Sequence, residues 1–363
     1  MDLEEGEVLD SEEEGEGEGE EEVDTKFFNE KTISEYITHL NRSGNPLGGK
    51  QILTWKQLSQ KMMFEYDDDI EAFQLDFINT FSYSNICGTS VDSSYLYNIF
   101  MGIVDNDTKY DVVFLYDESE IDSSNEFAIV IGVMIVKKWR CDKYPNAYVL
   151  DIICSNAQSN VRSNGKLVSN GALLLGLYMY SILNSNAEKV GILEVANGYK
   201  NISGLCLYTK FGFHKDKSLY SRYCFRDLVN TSMIAHVEEI GKQKIVDIVT
   251  NRDNGYQKDM LCNIRDKQVQ QLTGTLLNLR DMFDYSGEQD KVQELTSEIN
   301  EIFNNPDSAF TNKHQMLHNK YTFLYTGLKN DDKYYISGGK RRKSRKRLKR
   351  RSRKHSRKYS RKN

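Results

Sequence analysis

Apolar side chains recur at three- and four-residue intervals in four stretches between residues 25 and 105, which predicts helices there. The four stretches are residues 33–40, 55–66, 70–81 and 95–104. None of them carries a motif to which we can assign chemistry. We therefore interpret residues 25–105 as a helical N-terminal segment.

The pattern changes after residue 105 to runs of β-branched and aromatic residues separated by turns rich in Asp, Ser and Asn, which predicts strands. Three strands close together in sequence indicate a sheet, with an antiparallel arrangement favoured. The predicted elements are strands at 112–116, 127–137, 148–154 and 190–196, helices at 171–183 and 202–210, and further strand-like sequence at 218–225. A polar loop rich in Ser, Asn and Gly, residues 155–170, precedes the first of these helices. Residues 106–227 are the predicted α/β core.

From residue 228 to about 328 the pattern becomes helical, at 240–249, 269–283 and 292–303, and Pro306 interrupts the last part. We expect residues 228–337 to form a separate helical appendage or a lid on the sheet.

Charge is concentrated at the two ends of the chain. Residues 1–24 contain 14 acidic and no basic side chains, and residues 340–362 contain 16 basic and no acidic ones, so the net charge of −5 conceals two opposite tails. Neither segment has enough apolar surface to offset the entropy of ordering. We predict disordered tails at 1–24 and 338–363.

The basic tail admits three interpretations. It can bind nucleic acid without sequence preference through residues 340–362, act as a nuclear import signal, or contact the acidic tail of the same or another chain. Its Gly-Gly hinge and Lys/Arg/Ser repeats resemble C-terminal tails of proteins from large nucleocytoplasmic DNA viruses. That resemblance implies a viral protein in the host cytoplasm, at the viral factory, or in the nucleus, or packaged in the virion.

Six cysteines occur without a C-x-x-C pair or zinc-type spacing, and Cys206 lies within an apolar pattern. We expect reduced cysteines, an intracellular location and no metal; His314 and His318 have ligand spacing but no third ligand. The longest apolar run, residues 128–136, is far shorter than the roughly 20 residues that span a membrane. We therefore expect no membrane insertion.

The strand, polar loop and helix of residues 148–183 can form an anion site at Gly171, because the first amides of a helix are unpaired. The same pattern also fits a plain α/β crossover with a flexible loop. The residues alone leave both interpretations open.

The following segment resembles the GNAT N-acetyltransferase superfamily. Leu193-Glu194-Val195, then Asn201, then Leu207-Tyr208, Lys210 and Gly212-Phe213 match the motif and spacing with which that family ends its cofactor-binding core. The resemblance covers about 110–226 and implies a GNAT-like mixed sheet flanked by helices, an α/β (α+β) fold.

The family's pyrophosphate loop has two candidate registers in this chain. The preferred one runs over residues 166–175, with Lys166 in place of Gln or Arg and Ser169 in place of a glycine, so that Gly171 begins the helix. The other runs over residues 162–167, keeps Arg162 and Gly165, and lacks the final small residue. Lys166 and Arg162 can each add positive charge near cofactor phosphates.

The resemblance implies acetyl-CoA bound between two splayed parallel strands. Backbone groups of Ile153 and Cys154 would then lie near the pantetheine, and the amides of Ser169, Asn170 and Gly171 near the pyrophosphate. Asn201 belongs to the same implied cofactor site.

The implied reaction is direct attack of an amine on the thioester. Tyr208 would protonate the departing thiolate, since an ordinary tyrosine pKa of about 10 keeps it protonated at neutral pH. Glu194 would take the amine proton, although two extra residues separate it from Asn201 in comparison with the commonest family spacing. Asp151 is the rival base, because in Val149-Asp151-Ile153 it is the one acid on an otherwise apolar strand face.

Two functions remain open at this point. One is an acetyltransferase that moves the acetyl group of acetyl-CoA to a primary amine of a protein or small molecule. The other is a noncatalytic GNAT-like module that tethers nucleic acid or a viral or host protein through its charged tails. The substitution of Ser169 for a glycine motivates the second.

Overall fold

A computed structural model describes residues 26–44, 46–62, 69–83, 93–105, 109–120, 129–141, 143–155, 160–163, 166–195, 201–220, 225, 230–256 and 259–328. Its helices are α1 Glu30–Arg42, α2 Trp55–Met62, α3 Ile70–Tyr83, α4 Ser93–Val104, α5 Asn170–Asn184, α6 Ile202–Lys210, α7 Val237–Val249, α8 Lys267–Ser286, α9 Gln289–Asn304 and α10 Asn312–Leu328. Its strands are β1 Gln51–Thr54, β2 Tyr110–Tyr116, β3 Val130–Cys141, β4 Tyr144–Ser155, β5 Val161–Ser163, β6 Lys166–Val168, β7 Val190–Val195, β8 His214–Lys215 and β9 Thr231–His236.

Seven strands form one mixed sheet in the order β1-β2-β3-β4-β7-β9-β8, and β5 and β6 form a separate hairpin. Every neighbouring pair in the large sheet is antiparallel except β4 and β7, which are parallel. The predicted mixed α/β sheet flanked by helices is therefore confirmed, and so is the antiparallel pairing of the strands β2, β3 and β4.

Helix α5 is the centre of the core on one face of the sheet. It is buried on nearly all sides, between α1 and α7. Gly176 permits this packing, because a Cβ there would lie 2.5 Å from Val249 Cγ2 and 2.6 Å from the Tyr36 hydroxyl. That hydroxyl also donates a hydrogen bond to Leu173 O at 2.9 Å. The helix that begins at the predicted anion site is thus rigidly held.

The other face of the sheet is covered on the β1–β4 side by α2, α3 and α4. Aromatic rings dominate this second cluster: Phe77 contacts Phe100 and Phe114 at ring-centroid distances of 5.3 and 5.7 Å, and Trp55 lies 4.5 Å from Phe77. The helices predicted within residues 25–105 are present at 30–42, 55–62, 70–83 and 93–104, and they pack directly on the sheet.

Two predictions of secondary structure are wrong. The chain does not become helical at residue 228, since Thr231–His236 is strand β9 between β7 and β8. The predicted strand-like segment 218–225 begins instead in a 3-10 turn, Lys217–Leu219; an isolated bridge joins Tyr220 to Phe225, and residues 221–224 lie outside the described residues. Both stretches are short and mix polar with apolar residues, so tertiary pairing decides their conformation.

The prediction for Cys206 is also wrong. Cys206 forms a disulfide with Cys262, 56 residues later, and Cys154 is disulfide-bonded as well. Spacing rules detect local cysteine pairs, whereas this pair is brought together by the fold. The expectation of reduced cysteines is therefore wrong for these residues, and the intracellular location that was inferred from it loses its support.

The predicted tails at 1–24 and 338–363 lie outside the described residues. Within the residues that the structure describes, none of the helices combines the length and apolarity needed to cross a membrane.

Candidate functional site

The two parallel strands β4 and β7 are paired over only two positions. Val149 pairs with Ile192 and Leu150 with Leu193, and the ladder ends there although β4 continues to Ser155 and β7 to Val195. Between residues 151 and 155 the edge of β4 that faces β7 therefore makes no ladder contact with β7. We call this parting of the strands the fork.

A β-bulge coincides with the start of the fork. On the antiparallel neighbour β3, Ile135 pairs with Ile152 and Val136 with Leu150, so Asp151 is an extra residue with no partner opposite it. A bulge bends its strand and increases the local twist. The bulge at Asp151 thus accounts for the direction in which β4 leaves β7.

A buried tyrosine on α5 bridges the two strands beside their paired positions. The Tyr178 hydroxyl donates to Tyr148 O at 2.6 Å and accepts from Ile192 N at 3.0 Å. One hydroxyl thus satisfies backbone groups of both β4 and β7 that would otherwise be left unpaired. Burial raises the pKa of Tyr178, so this donor keeps its proton.

The first turn of α5 lies beside the end of β4. A Cβ at Gly171 would lie 3.6 Å from Ser155 Oγ and 3.2 Å from Leu207 Cδ2, so the start of α5, the end of β4 and α6 meet at this point. The structure therefore brings together the segments in which the sequence placed Ile153, Cys154, Gly171 and Tyr208.

Side chains already accept hydrogen bonds from backbone amides at this helix N-terminus. Ser169 is the N-cap of α5, and its Oγ accepts from Ala172 N at 3.1 Å. Asn160 Oδ1 accepts from Asn170 N at 2.9 Å, and the buried Lys50 donates its Nζ proton to Asn170 Oδ1 at 2.7 Å. Serine at the position of a family glycine is thus explained by capping, because serine is a favoured N-cap residue.

The loop before α5 is partly a β-hairpin. In it Arg162 pairs with Leu167, and Lys166 pairs with Ser163. The backbone of these residues is described, and their side chains lie outside the described part of the chain. The predicted role of Arg162 and Lys166 in binding phosphate therefore stays a prediction.

Ile153 and Cys154 lie on β4 beyond the bulge. They pair on one side with Met134 and Val133 of β3, and their other backbone edge faces the fork. The Ile153 side chain packs on the α5 face and Cys154 on the face covered by α2–α4. The role in pantetheine binding that the resemblance assigns to their backbone groups stays a prediction.

Tyr208 is buried in the core cluster that also contains Leu193 and Val195 of β7. Its ring lies 6.1 Å from that of Phe213, edge to face. Burial raises the pKa of the Tyr208 hydroxyl, which therefore stays protonated throughout the neutral range. Asn201 is the N-cap of α6, and its Oδ1 accepts from Gly204 N at 3.2 Å.

The two candidate bases occupy equivalent positions on β4 and β7 at the start of the fork. Glu194 and Asp151 directly follow the paired residues Leu193 and Leu150 on the two strands. Because Leu193 and Val195 face α5, Glu194 between them faces the opposite side of the sheet. Asp151 contacts α4 on that same opposite side.

Asp151 is engaged through both carboxylate oxygens. Lys137 of β3 forms an ion pair with Oδ1, and the Tyr95 hydroxyl of α4 donates to Oδ2 at 2.6 Å. Burial is the largest cause that raises the pKa of the Tyr95 hydroxyl, followed by the charge of Asp151 and, as a smaller cause, the charge of Glu194. Glu194 thus lies close enough to Tyr95 to act on it electrostatically.

Sequence reasoning did not identify several residues of this region, namely Lys50, Tyr95, Lys137, Asn160 and Tyr178. Four of them come from elements far from the motif in sequence or from the polar loop. Tyr178 lies within the helix predicted at 171–183, and its hydroxyl was the one indication in the sequence that it has a polar partner.

A separate cavity of about 480 Å³ lies on another side of α6, between that helix, β8, β9 and α7. Apolar residues such as Leu205, Phe213 and Met233 line it, with His214 and His236 among its polar residues. It includes none of the candidate site residues, so we place the candidate site at the fork.

The described residues contain no group of three or more His, Cys, Asp or Glu side chains placed to hold a metal ion. His314 accepts a hydrogen bond from Thr311 N through Nδ1 at 3.1 Å, at the start of α10. The ring thus serves the local helix terminus. No protein-family model and no curated protein matches this chain.

Proposed function

We propose that this protein is an N-acetyltransferase of GNAT-like fold that moves the acetyl group of acetyl-CoA to a primary amine. The observation that carries the proposal is the fork: a parallel strand pair that separates at a bulge, directly beside the N-terminus of a buried helix. An open strand edge offers backbone groups to an extended amide-containing ligand, and a helix N-terminus offers amides and a positive dipole end to phosphate. A pantetheine joined to a pyrophosphate presents both features.

The two faces of the sheet supply different chemical groups. Tyr208 lies on the α5 face, and Glu194 faces the other side. An amine that approaches from the Glu194 side forms the new C–N bond at the thioester carbonyl, and the C–S bond breaks. Glu194 accepts the amine proton and Tyr208 protonates the departing thiolate, so charge and protons balance.

The contacts of Asp151 favour Glu194 as the base. Both oxygens of Asp151 are engaged, one by the Lys137 ammonium and the other by the Tyr95 hydroxyl. A carboxylate held in this way loses an ion pair when it takes a proton. Asp151 therefore suits a role in orienting α4 and the acceptor side of the fork.

The cofactor end of the site fits acetyl-CoA with one rearrangement. The residues that would hold the pyrophosphate are Ser169, Asn170 and Gly171, through their backbone amides. Asn160 Oδ1 occupies the Asn170 amide, so phosphate must displace that side chain. Asn160→Ala is then expected to tighten acetyl-CoA binding, since it removes the competing acceptor.

Calorimetric titration of the full-length chain with acetyl-CoA and CoA tests the proposal. Micromolar binding is the expected result. Gly171→Glu is expected to abolish it, because a carboxylate at the helix start repels phosphate while it suits the helix dipole. Gly171→Gln is the matched control of the same size without the charge. Absence of binding at millimolar acetyl-CoA would retire the enzymatic proposal.

The internal capping of α5 favours a second candidate, a noncatalytic module. Ser169 Oγ and Asn160 Oδ1 already occupy two amides of the first turn. A module of this kind would act through its tails, and removal of residues 338–363 would then abolish retention on nucleic acid. In an enzyme, the same truncation leaves acetyl-CoA binding unchanged.

A further inference from the structure

Helix α6, which carries Tyr208, is covalently joined to the C-terminal part of the chain. The disulfide between Cys206 and Cys262 spans a Cα–Cα distance of 5.8 Å. Cys262 belongs to a single 3-10 turn, Met260–Asn263, whose Leu261 is fully buried in the core. That turn is anchored to α8, since Gln270 Nε2 donates to Leu261 O at 3.0 Å.

The disulfide and Tyr208 lie on different sides of α6. Residues two apart on an α-helix point about 200° apart around its axis. Leu205, Tyr208 and Thr209 form the buried side of the helix, and Cys206 is only partly buried. The disulfide therefore holds the helix from outside while Tyr208 packs into the core.

A strap formed by residues 251–256 holds the end of α6 at additional points. Tyr256 N donates to Lys210 O at 3.0 Å, and Lys210 Nζ donates to Asn251 Oδ1 at 2.7 Å. Gly255 allows this close approach, because a Cβ there would lie 2.2 Å from Lys210 O. The strap and the disulfide thus act on the same helix.

Nine residues make α6 too short to be stable by its own hydrogen bonds. Its position depends on tertiary anchors, of which the disulfide is the only covalent one among the described residues. We propose that the Cys206–Cys262 disulfide positions α6, and through it Tyr208, and that reduction by a dithiol loosens this helix. Its bearing on acetyl transfer rests on the proposed function.

Reduction of the disulfide is a two-electron exchange with the dithiol. A dithiol reductant supplies two electrons and two protons, becomes a cyclic disulfide, and leaves two thiols at Cys206 and Cys262. Neither Cys206 nor Cys262 is fully buried.

Hydrogen exchange of residues 202–210 in the full-length protein is the decisive measurement. We compare the oxidised protein, the protein treated with dithiothreitol, and the variant C206S/C262S. Both ways of opening the disulfide are expected to speed exchange of these amides at least about tenfold, with α5 unchanged. Because Cys154 is also disulfide-bonded, dithiothreitol added to the double variant shows what the other disulfides contribute.

Exchange of α6 that is unaffected by reduction would overturn the positioning role, and the reduced wild-type protein gives this answer even if the double variant does not fold. In turnover with spermidine or a lysine peptide, the oxidised double variant is expected to lose about 10- to 100-fold in kcat with little change in the Kd of acetyl-CoA. If exchange of α6 becomes faster while kcat stays unchanged, the proposal that the disulfide positions Tyr208 for the reaction is refuted. Failure of acetyl-CoA to bind would refute the proposed function and leave the exchange result to decide the role of the disulfide.

Discussion

Replacement of Asp111 by Asn is expected to change how the stability of this protein depends on pH. Asp111 lies on β2, where its carboxylate accepts hydrogen bonds from Phe28 N at 2.8 Å and from Val112 N at 2.9 Å. Phe27, next to Phe28, stacks on Tyr148 at a ring distance of 4.4 Å. Asp111 thus lies beneath the N-terminal segment, where that segment covers the sheet near the fork.

Burial is the largest influence on this carboxyl group and raises its pKa from 3.8 to about 6, against the opposing effect of the backbone donors and Lys26. In the folded protein Asp111 therefore holds its proton up to about pH 6, whereas in the unfolded chain it loses it near pH 4. Between these values the folded state binds more protons, so the free energy of unfolding falls as pH rises. The total loss is about 3 kcal/mol, since one pH unit corresponds to about 1.4 kcal/mol.

Asp111→Asn keeps the size and a hydrogen-bond acceptor but stays neutral at all pH values. The difference in unfolding free energy between variant and wild type is therefore expected to shift by about 2–3 kcal/mol in favour of the variant between pH 4 and pH 7.5. Urea denaturation at a series of pH values measures it, and other titrating groups cancel in the difference. A difference that stays constant, or that shifts in favour of the wild type as pH rises, would refute the burial of this carboxyl group.

Three further predictions concern the fork. Tyr208→Phe is expected to lower kcat by about 100-fold or more with an unchanged Kd for acetyl-CoA, measured by CoA release and calorimetry; equal turnover would exclude Tyr208 as the acid. Glu194→Gln is expected to lower kcat by a similar factor, whereas the main effect of Asp151→Asn is expected to be a loss of about 1–3 kcal/mol in the free energy of unfolding. A larger loss of kcat in Asp151→Asn than in Glu194→Gln would make Asp151 the base. Tyr178→Phe is expected to lower the free energy of unfolding by about 1–3 kcal/mol in urea denaturation, because Tyr148 O and Ile192 N lose the hydroxyl that bridges them; a loss below about 0.5 kcal/mol would contradict the bridging role of Tyr178.

Most of the element types followed from local patterns. The helix at Ile202–Lys210 has the bounds that the sequence predicted, because an N-cap Asn, apolar spacing and a following glycine all act within a dozen residues. Gly212 adopts φ of +87° just beyond the helix, a conformation that favours glycine. Where all local preferences agree, the sequence alone predicts the bounds of a helix.

Strands defined by their partners were harder to predict. β1, Gln51–Thr54, was not predicted, and β9 was assigned to a helical region. Four and six residues give little periodicity, and each strand is held by the register of its neighbour: Leu53 pairs with Phe114, and Ile192 with Ile234. The disulfide of Cys206 was missed for a similar reason, since its partner lies 56 residues away.

The site depends on an irregularity that alternation along a strand does not indicate. The sequence reading put Val149, Asp151 and Ile153 on one strand face, but the bulge turns Ile153 to the α5 side and leaves Asp151 with Lys137 and Tyr95. The prediction that these three side chains share one face is therefore wrong, because the bulge adds one residue to β4 between Leu150 and Ile152.

That one-residue irregularity joins the two parts of the candidate site. It takes β4 out of register with β3 at the position where pairing with β7 ends, and so opens the strand edge that the start of α5 approaches. The bulge also leaves Asp151 on the sheet face toward which Glu194 points, where an N-terminal helix supplies Tyr95. A regular strand with the same composition would continue to pair with β7 and would present neither the edge nor the acids. Deletion of Asp151, the residue without a partner on β3, should therefore remove the bulge and abolish acetyl-CoA binding in calorimetric titration; unchanged binding would contradict the role of the bulge.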